Sequence, residues 1–199
     1  MRLSVATLRF LLIAMLIGSA GCAAARYVAS PGSTTIAPGL QFAIPTGREL
    51  GYSVDSTQLI TAHVRDQVQV FQAYVVVTPD KVTIIAFDPF GGRALTVIAT
   101  DDAIHTEVAP IVPAVLRPGN ILADVAIVYW PSAAVRRGLA GTSATLYDDE
   151  RTRTITDNGR EVIHVTYDTP HENTWTKVAH LRNIAFGYEL DLQSSVAAK

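Results

Sequence analysis

The chain has 199 residues, and its 16 Lys and Arg nearly balance 18 Asp and Glu, which leaves a formal net charge of −2 at pH 7. This balance excludes the strongly basic surface on which nucleic-acid binding depends. A single cysteine excludes an internal disulfide, so any folded domain must be stabilised by the hydrophobic residues that make up 49 % of the chain.

The N-terminus has the three parts of a secretory leader. Arg2 and Arg9 give it a basic start, residues 10–17 form an apolar run, and small residues follow at 18–21. An apolar run of about eight residues is too short to cross a bilayer, which takes about 20. We therefore predict a signal peptide over residues 1–21. Its removal takes away two of the 16 basic residues and leaves 14 against 18 acidic ones.

Cys22 follows the small residues directly and resembles the cysteine of a bacterial lipobox, although the leucine usual three positions before it is Ser19 here. The resemblance implies cleavage before Cys22, a diacylglycerol on its thiol and an acyl chain such as palmitate on the new N-terminus. Two or more acyl chains anchor a protein stably. Ala23, in place of an aspartate, implies the cell outer membrane, with the folded part facing the periplasm. The alternative is a leader cut elsewhere, which leaves a free thiol.

The segment after Cys22 is small, polar and interrupted by Pro31 and Gly32. Such a composition is typical of a flexible linker. We predict that residues 22–48 form the lipidated N-terminus and a flexible tether, and that residues 49–199 form one folded domain.

From residue 49 the hydrophobic pattern is that of β-strands separated by short turns. In the run 67–78, Val68, Val70, Gln72, Tyr74 and Val76 share one face. Turns at 79–80 and 88–92 connect consecutive runs, which is typical of an antiparallel meander. The first group of predicted strands is 58–64, 67–78, 81–87, 93–99 and 104–108.

Two short helices are predicted in the middle of the chain. Apolar residues recur at helical spacing from Ile121 to Trp130, with Asn120 as a candidate N-cap, and Pro131 interrupts the pattern. A second helix over 132–139 ends near Gly138. Further strands follow at 144–147, 152–155, 161–167, 174–181 and 187–193. The fold class is therefore mainly β with a helical insertion.

The order of these pieces resembles the outer-membrane lipoprotein receptor LolB, its periplasmic relative LolA and a group of LolB-like lipoproteins, some of them encoded beside aryl-polyene biosynthesis genes. The resemblance spans residues 58–192 and is carried by the turn 88–93, the helix 121–130 closed by Pro131, and the terminal 187–190. It implies an open antiparallel half-barrel covered by helices, around an apolar cavity that accepts acyl chains. It also implies an exposed apolar side chain that reaches the membrane, and Phe90 has that character.

The candidate cavity wall combines apolar residues of the strands and of the first helix. A closed core without any cavity would select the same residue types, so both readings stay open for each of them. The candidate residues are Tyr74, Val76, Ile84, Leu95, Val97, Leu122, Val125, Tyr129 and Trp130.

The titratable residues show no catalytic or metal-binding pattern. No His-x-His or HExxH spacing and no Gly-x-Ser-x-Gly sequence occurs, and the acidic groups at 101–102 and 148–150 fall at expected turns. Arg136 and Arg137 follow the first helix. They are explained equally by contact with lipid phosphates and by ordinary exposure to solvent. The scattered histidines are His63, His105, His164, His171 and His180.

We therefore expect no enzyme activity, no metal and no cofactor. We expect a monomeric outer-membrane lipoprotein whose partners are the membrane, through its acyl chains, and a lipid or lipoprotein ligand in the cavity. The alternative is an anchored structural or interaction subunit of an envelope or aryl-polyene assembly, with a filled core and no ligand cavity.

Overall fold

The computed structural model describes residues 25–29, 32–170 and 175–196. Its helices are α1 (Pro118–Tyr129) and α2 (Ser132–Gly138), and a 3₁₀ turn occupies Gly47–Leu50. The strands are β1 (Ala25–Ala29), β2 (Ser33–Ala37), β3 (Leu40–Ala43), β4 (Val54–Val64), β5 (Gln67–Thr78), β6 (Lys81–Phe87), β7 (Arg93–Thr100), β8 (Ile104–Val108), β9 (Ala144–Asp148), β10 (Thr152–Asp157), β11 (Arg160–Tyr167), β12 (Val178–Asn183) and β13 (Tyr188–Val196). The predicted signal peptide and Cys22 lie outside the described residues.

Eleven strands form one antiparallel sheet that stays open, in the order β1-β8-β7-β6-β5-β4-β13-β12-β11-β10-β9. Strands β4 to β8 form one meander, with β1 added beside β8, and β9 to β13 form a second. The two join where β4 pairs with β13, from Val64 opposite Tyr188 to Ser56 opposite Val196. The predicted class, mainly β with a helical insertion, is confirmed. The predicted start of β4 was four residues too late and that of β12 four residues too early. The polar residues at these ends show no clear alternation of apolar and polar side chains.

Helix α1 is buried almost all round, since every residue from Leu122 to Trp130 is buried. Such a helix needs cover on both sides. The sheet supplies it on one side, over a face that we call the inner face, and strand β2 contacts the helix as well. Asn120 is not the N-cap as predicted. The cap position is Arg117, without a side-chain hydrogen bond, because Pro118 occupies the first helical position that proline favours.

The hairpin β2–β3 corrects the predicted tether. Residues 22–48 are not a flexible linker throughout, because from Ser33 onward the chain pairs β2 with β3 and packs on the domain. Ile36, Leu40 and Phe42 are each at most 2 % exposed. The hairpin approaches α2 so closely that a Cβ at Gly138 would lie 2.4 Å from the Phe42 ring. The prediction followed the small polar residues at 30–35 and gave no weight to the apolar side chains from Ile36 onward, which pack on the domain.

Strand β5 places Phe71, Ala73, Val75 and Val77 on the inner face. Tyr74 and Val76 therefore point the opposite way, and Tyr74 is 42 % exposed. Their assignment to the cavity wall was wrong. Both faces of β5 carry apolar side chains, so alternation alone did not show which face would meet the helix.

Among the described residues, no helix is both long enough and apolar enough to span a bilayer.

Candidate functional site

An inner cavity of about 60 Å³ lies between helix α1 and the inner face of the sheet. Side chains of β4, β5, β6, β7 and β13 form its wall, and Ile121, Asp124 and Val125 close it from the helix. Val112 and Leu116, in the loop that leads into the helix, complete the cover. The lining is apolar except for Asp124 and Gln58. The surface that the cavity exposes is almost entirely hydrocarbon, and the polar ends of Gln58 and Asp124 are buried beside it.

Gln58 lies on β4 between Ser56 and Ile60, and its side chain is on the inner face and 1 % exposed. Neither its Nε2 nor its Oε1 makes a hydrogen bond of ordinary geometry with any described residue. Burial raises the pKa of the neighbouring Tyr129, and its contacts with Ser194 and with the Gln58 amide act against this rise. Tyr129 instead shares a 2.7 Å hydrogen bond with the Ser194 Oγ. The Gln58 amide is therefore left unsatisfied beside the cavity.

Asp124 is the second polar group, and it belongs to a buried network. Its Oδ2 accepts a 2.7 Å hydrogen bond from the Tyr188 hydroxyl, which in turn accepts one of 3.2 Å from Asn183 Nδ2. Burial raises the pKa of Asp124 to about 7, against the opposing effect of the Tyr188 hydrogen bond. The pKa of Tyr188 is also raised, first by burial and then by the Asp124 carboxylate. Near neutral pH, Asp124 therefore exists in both its protonated and its charged form.

An outer cleft of about 500 Å³ lies beside the inner cavity, along the neighbouring side of helix α1. Its walls are the segment 43–48 and the ends of β6, β7 and β8, and its floor includes Leu122, Ala126 and Trp130 of the α1 region. Val125 lines the cleft and the inner cavity alike. The volume of the cleft falls within the range of small-molecule sites, about 300–1,000 Å³. Val125 is therefore the partition between a ligand-sized opening and a smaller apolar space.

The mouth of the cleft carries exposed charges. Arg48 Nη2 lies 2.9 Å from Asp80 Oδ1 and 3.7 Å from Asp101 Oδ2, which belong to the β5–β6 and β7–β8 turns. All three side chains are more than half exposed, and exposed pairs contribute at most about 1 kcal/mol each. Arg48 can therefore leave either carboxylate at little cost in free energy.

The C-terminal end of helix α1 is held by a buried ion pair. Arg153 of β10 donates from Nη1 to the Ile127 oxygen at 2.5 Å and the Trp130 oxygen at 2.9 Å. Its Nη2 lies 3.0 Å from Asp148 Oδ2, and both side chains are at most 4 % exposed. The Tyr167 hydroxyl donates to the Val128 oxygen at 2.9 Å. These bonds satisfy carbonyls at the end of a buried helix, which no water would reach.

The predicted cavity residues divide into three groups in the structure. Val97 and Tyr129 pack in the core away from both cavities, and the Tyr129 ring stacks on Trp175 with a centroid distance of 4.0 Å. Tyr74 and Val76 lie on the outer face. The residues that line space are Ile84 and Leu95 in the inner cavity, Leu122 and Trp130 in the outer cleft, and Val125 in both.

Sequence reasoning missed Gln58 and Asp124. Two signals in the sequence would have found them. One is a lone aspartate inside an apolar helix, and the other is a glutamine at a strand position whose side chain points inward. Both signals depend on knowing which face is buried, and polar residues of these types usually lie at the surface.

Two further groups of titratable residues form contacts at the surface. Asp191 lies between His63 Nε2 at 3.0 Å and His180 Nδ1 at 2.7 Å, and these hydrogen bonds help to lower its pKa. Arg137 bonds Glu49 through two nitrogens, at 3.0 and 2.8 Å, and Arg136 is exposed. In the described part of the chain, no group of three His, Cys, Asp or Glu is placed to hold a metal ion.

The family model described as "Protein of unknown function (DUF3261)" matches residues 55–196. The match starts at β4 and ends at β13, so it covers the ten strands from β4 onward, both helices and the residues of the inner cavity. It leaves out Cys22 and the hairpin β2–β3. No curated protein matches the chain.

Proposed function

The chain belongs to the DUF3261 family, and we propose that it is an outer-membrane-anchored lipoprotein that binds a hydrophobic acylated ligand, a lipid or a lipoprotein, beneath helix α1. A half-barrel of the LolA/LolB kind is part of this proposal. It is supported by the open antiparallel sheet and by the apolar helix α1 against its inner face.

The observation that carries the proposal is the pair of spaces that meet at Val125. The outer cleft is wide enough for a ligand, and the inner cavity beyond it is almost entirely apolar. Each methylene that an acyl chain buries there contributes about 0.8 kcal/mol. At about 60 Å³ the inner cavity has room for roughly two water molecules. An acyl chain therefore enters it only when Val125 and the start of helix α1 move away from the sheet.

The position of β1 supports an orientation toward a membrane. Ala25 pairs with Val108 of β8, which pairs with Leu95 of β7, and the β6–β7 turn lies just beyond this end of the sheet. Phe90 in that turn is 95 % exposed, and the Asp88 carboxylate accepts hydrogen bonds from the Phe90 and Gly92 amides at 2.8 Å. Cys22 precedes Ala25 by three residues, a reach of about 10 Å at most. An acylated Cys22 and the Phe90 ring would then meet the same membrane.

A second candidate function is an anchored interaction subunit of an envelope or aryl-polyene assembly. Two observations favour it: the small volume of the inner cavity and a groove on the outer face of the sheet. Leu59, Val70 and Tyr74 line this groove and are 45 %, 37 % and 42 % exposed. Apolar side chains in such a cluster are typical of surfaces that contact other proteins.

Native mass spectrometry of the chain from Ala23, purified without detergent, separates the two functions. If the protein binds a ligand, the wild type should carry a bound species of lipid mass. This species should be lost in Val125→Glu and kept in the control Tyr74→Glu on the outer face. Circular dichroism checks that both variants fold. Leu122→Glu is the second test of the same floor. A clean apo mass that takes up no added fatty acid, lipopeptide or polyene would contradict ligand binding and favour the interaction subunit.

A further inference from the structure

Asp124 is a buried carboxyl group of helix α1 that the proposed function leaves unused. It is among the residues that line the inner cavity, and it is 3 % exposed. It belongs to the first half of the helix, residues 118–125, and directly precedes Val125, which lines the inner cavity and the outer cleft alike. A change in the charge of Asp124 therefore acts at the point where a ligand would enter.

A second buried carboxylate, Asp148, shows what this fold provides for a charge. The Arg153 guanidinium lies 3.0 Å from it, and both side chains are at most 4 % exposed. Asp124 has no such partner among the described residues, because its hydrogen bond comes from the neutral Tyr188 hydroxyl, at 2.7 Å. Burial without a cation is costly for a carboxylate and much less so for the neutral acid. The closed structure therefore favours the protonated form of Asp124.

In the described chain, the elements packed against the first half of the helix bring no charge to Asp124. Strand β13 presents the Tyr188 hydroxyl, β2 has no titratable residue, and the titratable residues of β12 are exposed on the outer face. The cavity residues of β4 to β7 are uncharged. Arg117, before the helix, is exposed, while Arg153 and Tyr129 bond partners at the other end of the helix. Asp124 does not line the outer cleft, whose mouth carries exposed charges.

Ionisation of Asp124 makes the closed arrangement unfavourable. Burial raises the pKa of this carboxyl from 3.8 to about 7, so its proton leaves the closed structure near neutral pH. The inner cavity hydrates the new charge poorly, because its surface is almost entirely hydrocarbon and a buried water needs two to four polar partners. Movement of the first half of the helix away from the sheet brings bulk water to Asp124. The second half, residues 126–130, is held by the bonds of Arg153 and Tyr167 to its carbonyls.

We propose that loss of the Asp124 proton releases the first half of helix α1 from the sheet, so that the inner cavity opens more readily in the deprotonated protein. Residues 126–130 stay in place. The opening itself needs no ligand. Its consequence, a greater uptake of aliphatic ligands at higher pH, rests on the proposed function.

The pKa values of Asp124 in the two states set the direction and the size of the effect. In the open state water surrounds the carboxyl and its pKa returns to the ordinary value of 3.8, whereas in the closed state it is about 7. Between these values the equilibrium constant for opening should rise by up to about tenfold per pH unit. Above pH 7 both states are ionised, and the rise should level off.

Hydrogen exchange of the full chain in lipid nanodiscs, at about pH 5, 6, 7 and 8, tests the opening. Each rate is divided by that of an unstructured peptide of the same sequence at the same pH, which removes the intrinsic pH dependence of exchange. In the wild type, protection of residues 121–125 should fall by about 5- to 10-fold per pH unit from pH 5 to 7 and by less above pH 7. Residues 126–130 should keep their protection.

Asp124→Asn still accepts the Tyr188 hydrogen bond but does not titrate, so the fall in protection should disappear. The matched control is Asp102→Asn, an exposed carboxylate in the β7–β8 turn, which should behave as the wild type. The wild-type comparison of residues 121–125 with residues 126–130 decides the question even if a variant folds poorly.

Photo-crosslinking in the same nanodiscs tests the consequence for ligands. The probe is an aliphatic chain that ends in a methyl group, so it carries no titratable group of its own. Labels on the cavity segments 84–95 and 121–125 should increase by about 5- to 10-fold per pH unit from pH 5 to 7 in the wild type, at a probe concentration that labels a small fraction of the chain. They should stay constant in Asp124→Asn.

The opening and the ligand-binding function fail in different ways. A flat exchange profile in the wild type, the same slope in Asp124→Asn, or an equal loss of protection in residues 126–130 would overturn the role of Asp124. Opening that follows pH without labelling of the cavity at any pH would refute the ligand-binding function and leave the proton-linked opening intact. Labelling that stays the same at every pH while the helix opens would overturn the link between opening and uptake.

Discussion

In the second half of helix α1, side chains from the sheet bind the backbone carbonyls, whereas the first half lies between two spaces. Arg153 and Tyr167 bond the carbonyls of Ile127, Val128 and Trp130. At the other end the helix begins without a side-chain cap, and Asn120 bonds the Val115 oxygen at 3.2 Å. We call residues 126–130 the fixed half, because three side-chain hydrogen bonds from the sheet end on their carbonyls. We call residues 118–125 the loose half, because they border the two spaces that the proposed ligand would enter.

The largest expected effect concerns the fixed half. Arg153→Met removes two hydrogen bonds to helix carbonyls and leaves the buried Asp148 carboxylate without its guanidinium partner. Breaking a buried pair on one side lowers the free energy of unfolding by about 3–5 kcal/mol. Urea unfolding of the chain from Ala23 measures this loss. The control is Arg136→Met at an exposed position of α2, and an equal loss in both variants would contradict the anchoring role.

Asp124→Asn tests the loose half of the helix through the dependence of the free energy of unfolding on pH. Because burial raises the pKa of Asp124 from 3.8 to about 7, the folded chain keeps a proton that the unfolded chain releases between these values. The wild type should therefore lose stability as pH rises through this window, by roughly 1.4 kcal/mol per pH unit. Asparagine still accepts the Tyr188 hydrogen bond but does not titrate, so this slope should disappear.

Unfolding curves at pH 4.5, 5.5 and 6.5 measure the effect of Asp124. The matched control is Asp102→Asn, an exposed carboxylate in the β7–β8 turn, which should keep the slope of the wild type. Parallel slopes for the wild type and Asp124→Asn would show that Asp124 has an ordinary pKa.

Filling the inner cavity should strengthen the loose half. Ala86→Val adds two methyl groups to the cavity wall on a strand, where β-branched residues fit well. We expect the free energy of unfolding to rise by about 1 kcal/mol and the uptake of acyl ligands to fall. Ala123→Val is the control, because Ala123 is fully buried away from both cavities and a larger side chain overpacks it. Destabilisation by Ala86→Val would mean that the cavity is not open space.

The smallest expected effect is that of Asn120→Ala at the start of the helix. It removes one hydrogen bond to the Val115 oxygen and a long one of 3.4 Å from the Thr34 hydroxyl. Because Thr34 is only half-buried, water can replace the second bond. We expect a loss of about 0.5 kcal/mol. Hydrogen exchange should show faster opening of residues 121–125 and unchanged protection of residues 126–130. Equal changes in both halves would contradict their independence.

The strands and helices were largely predictable because their patterns are long and regular. The runs 67–78, 81–87 and 104–108 coincide with β5, β6 and β8, and Pro131 separates the two helices as expected. The site was predictable only in part: Ile84, Leu95, Leu122, Val125 and Trp130 line the inner cavity or the outer cleft. Tyr74 and Val76 line neither, because they lie on the opposite face of β5. Lipidation of Cys22 and the outer-membrane location stay predictions.

The sequence by itself determined the local features: the alternation of the strands, the apolar helix and the order of the pieces. These follow from contacts between residues close in the chain. Tertiary structure decided which face of β5 is inside, that residues 33–43 fold onto the domain, and that Gln58 and Asp124 lie beside one cavity. Each of these depends on partners far away in sequence, as in the bond from Tyr188 to Asp124 across 64 residues, and no local pattern contains them.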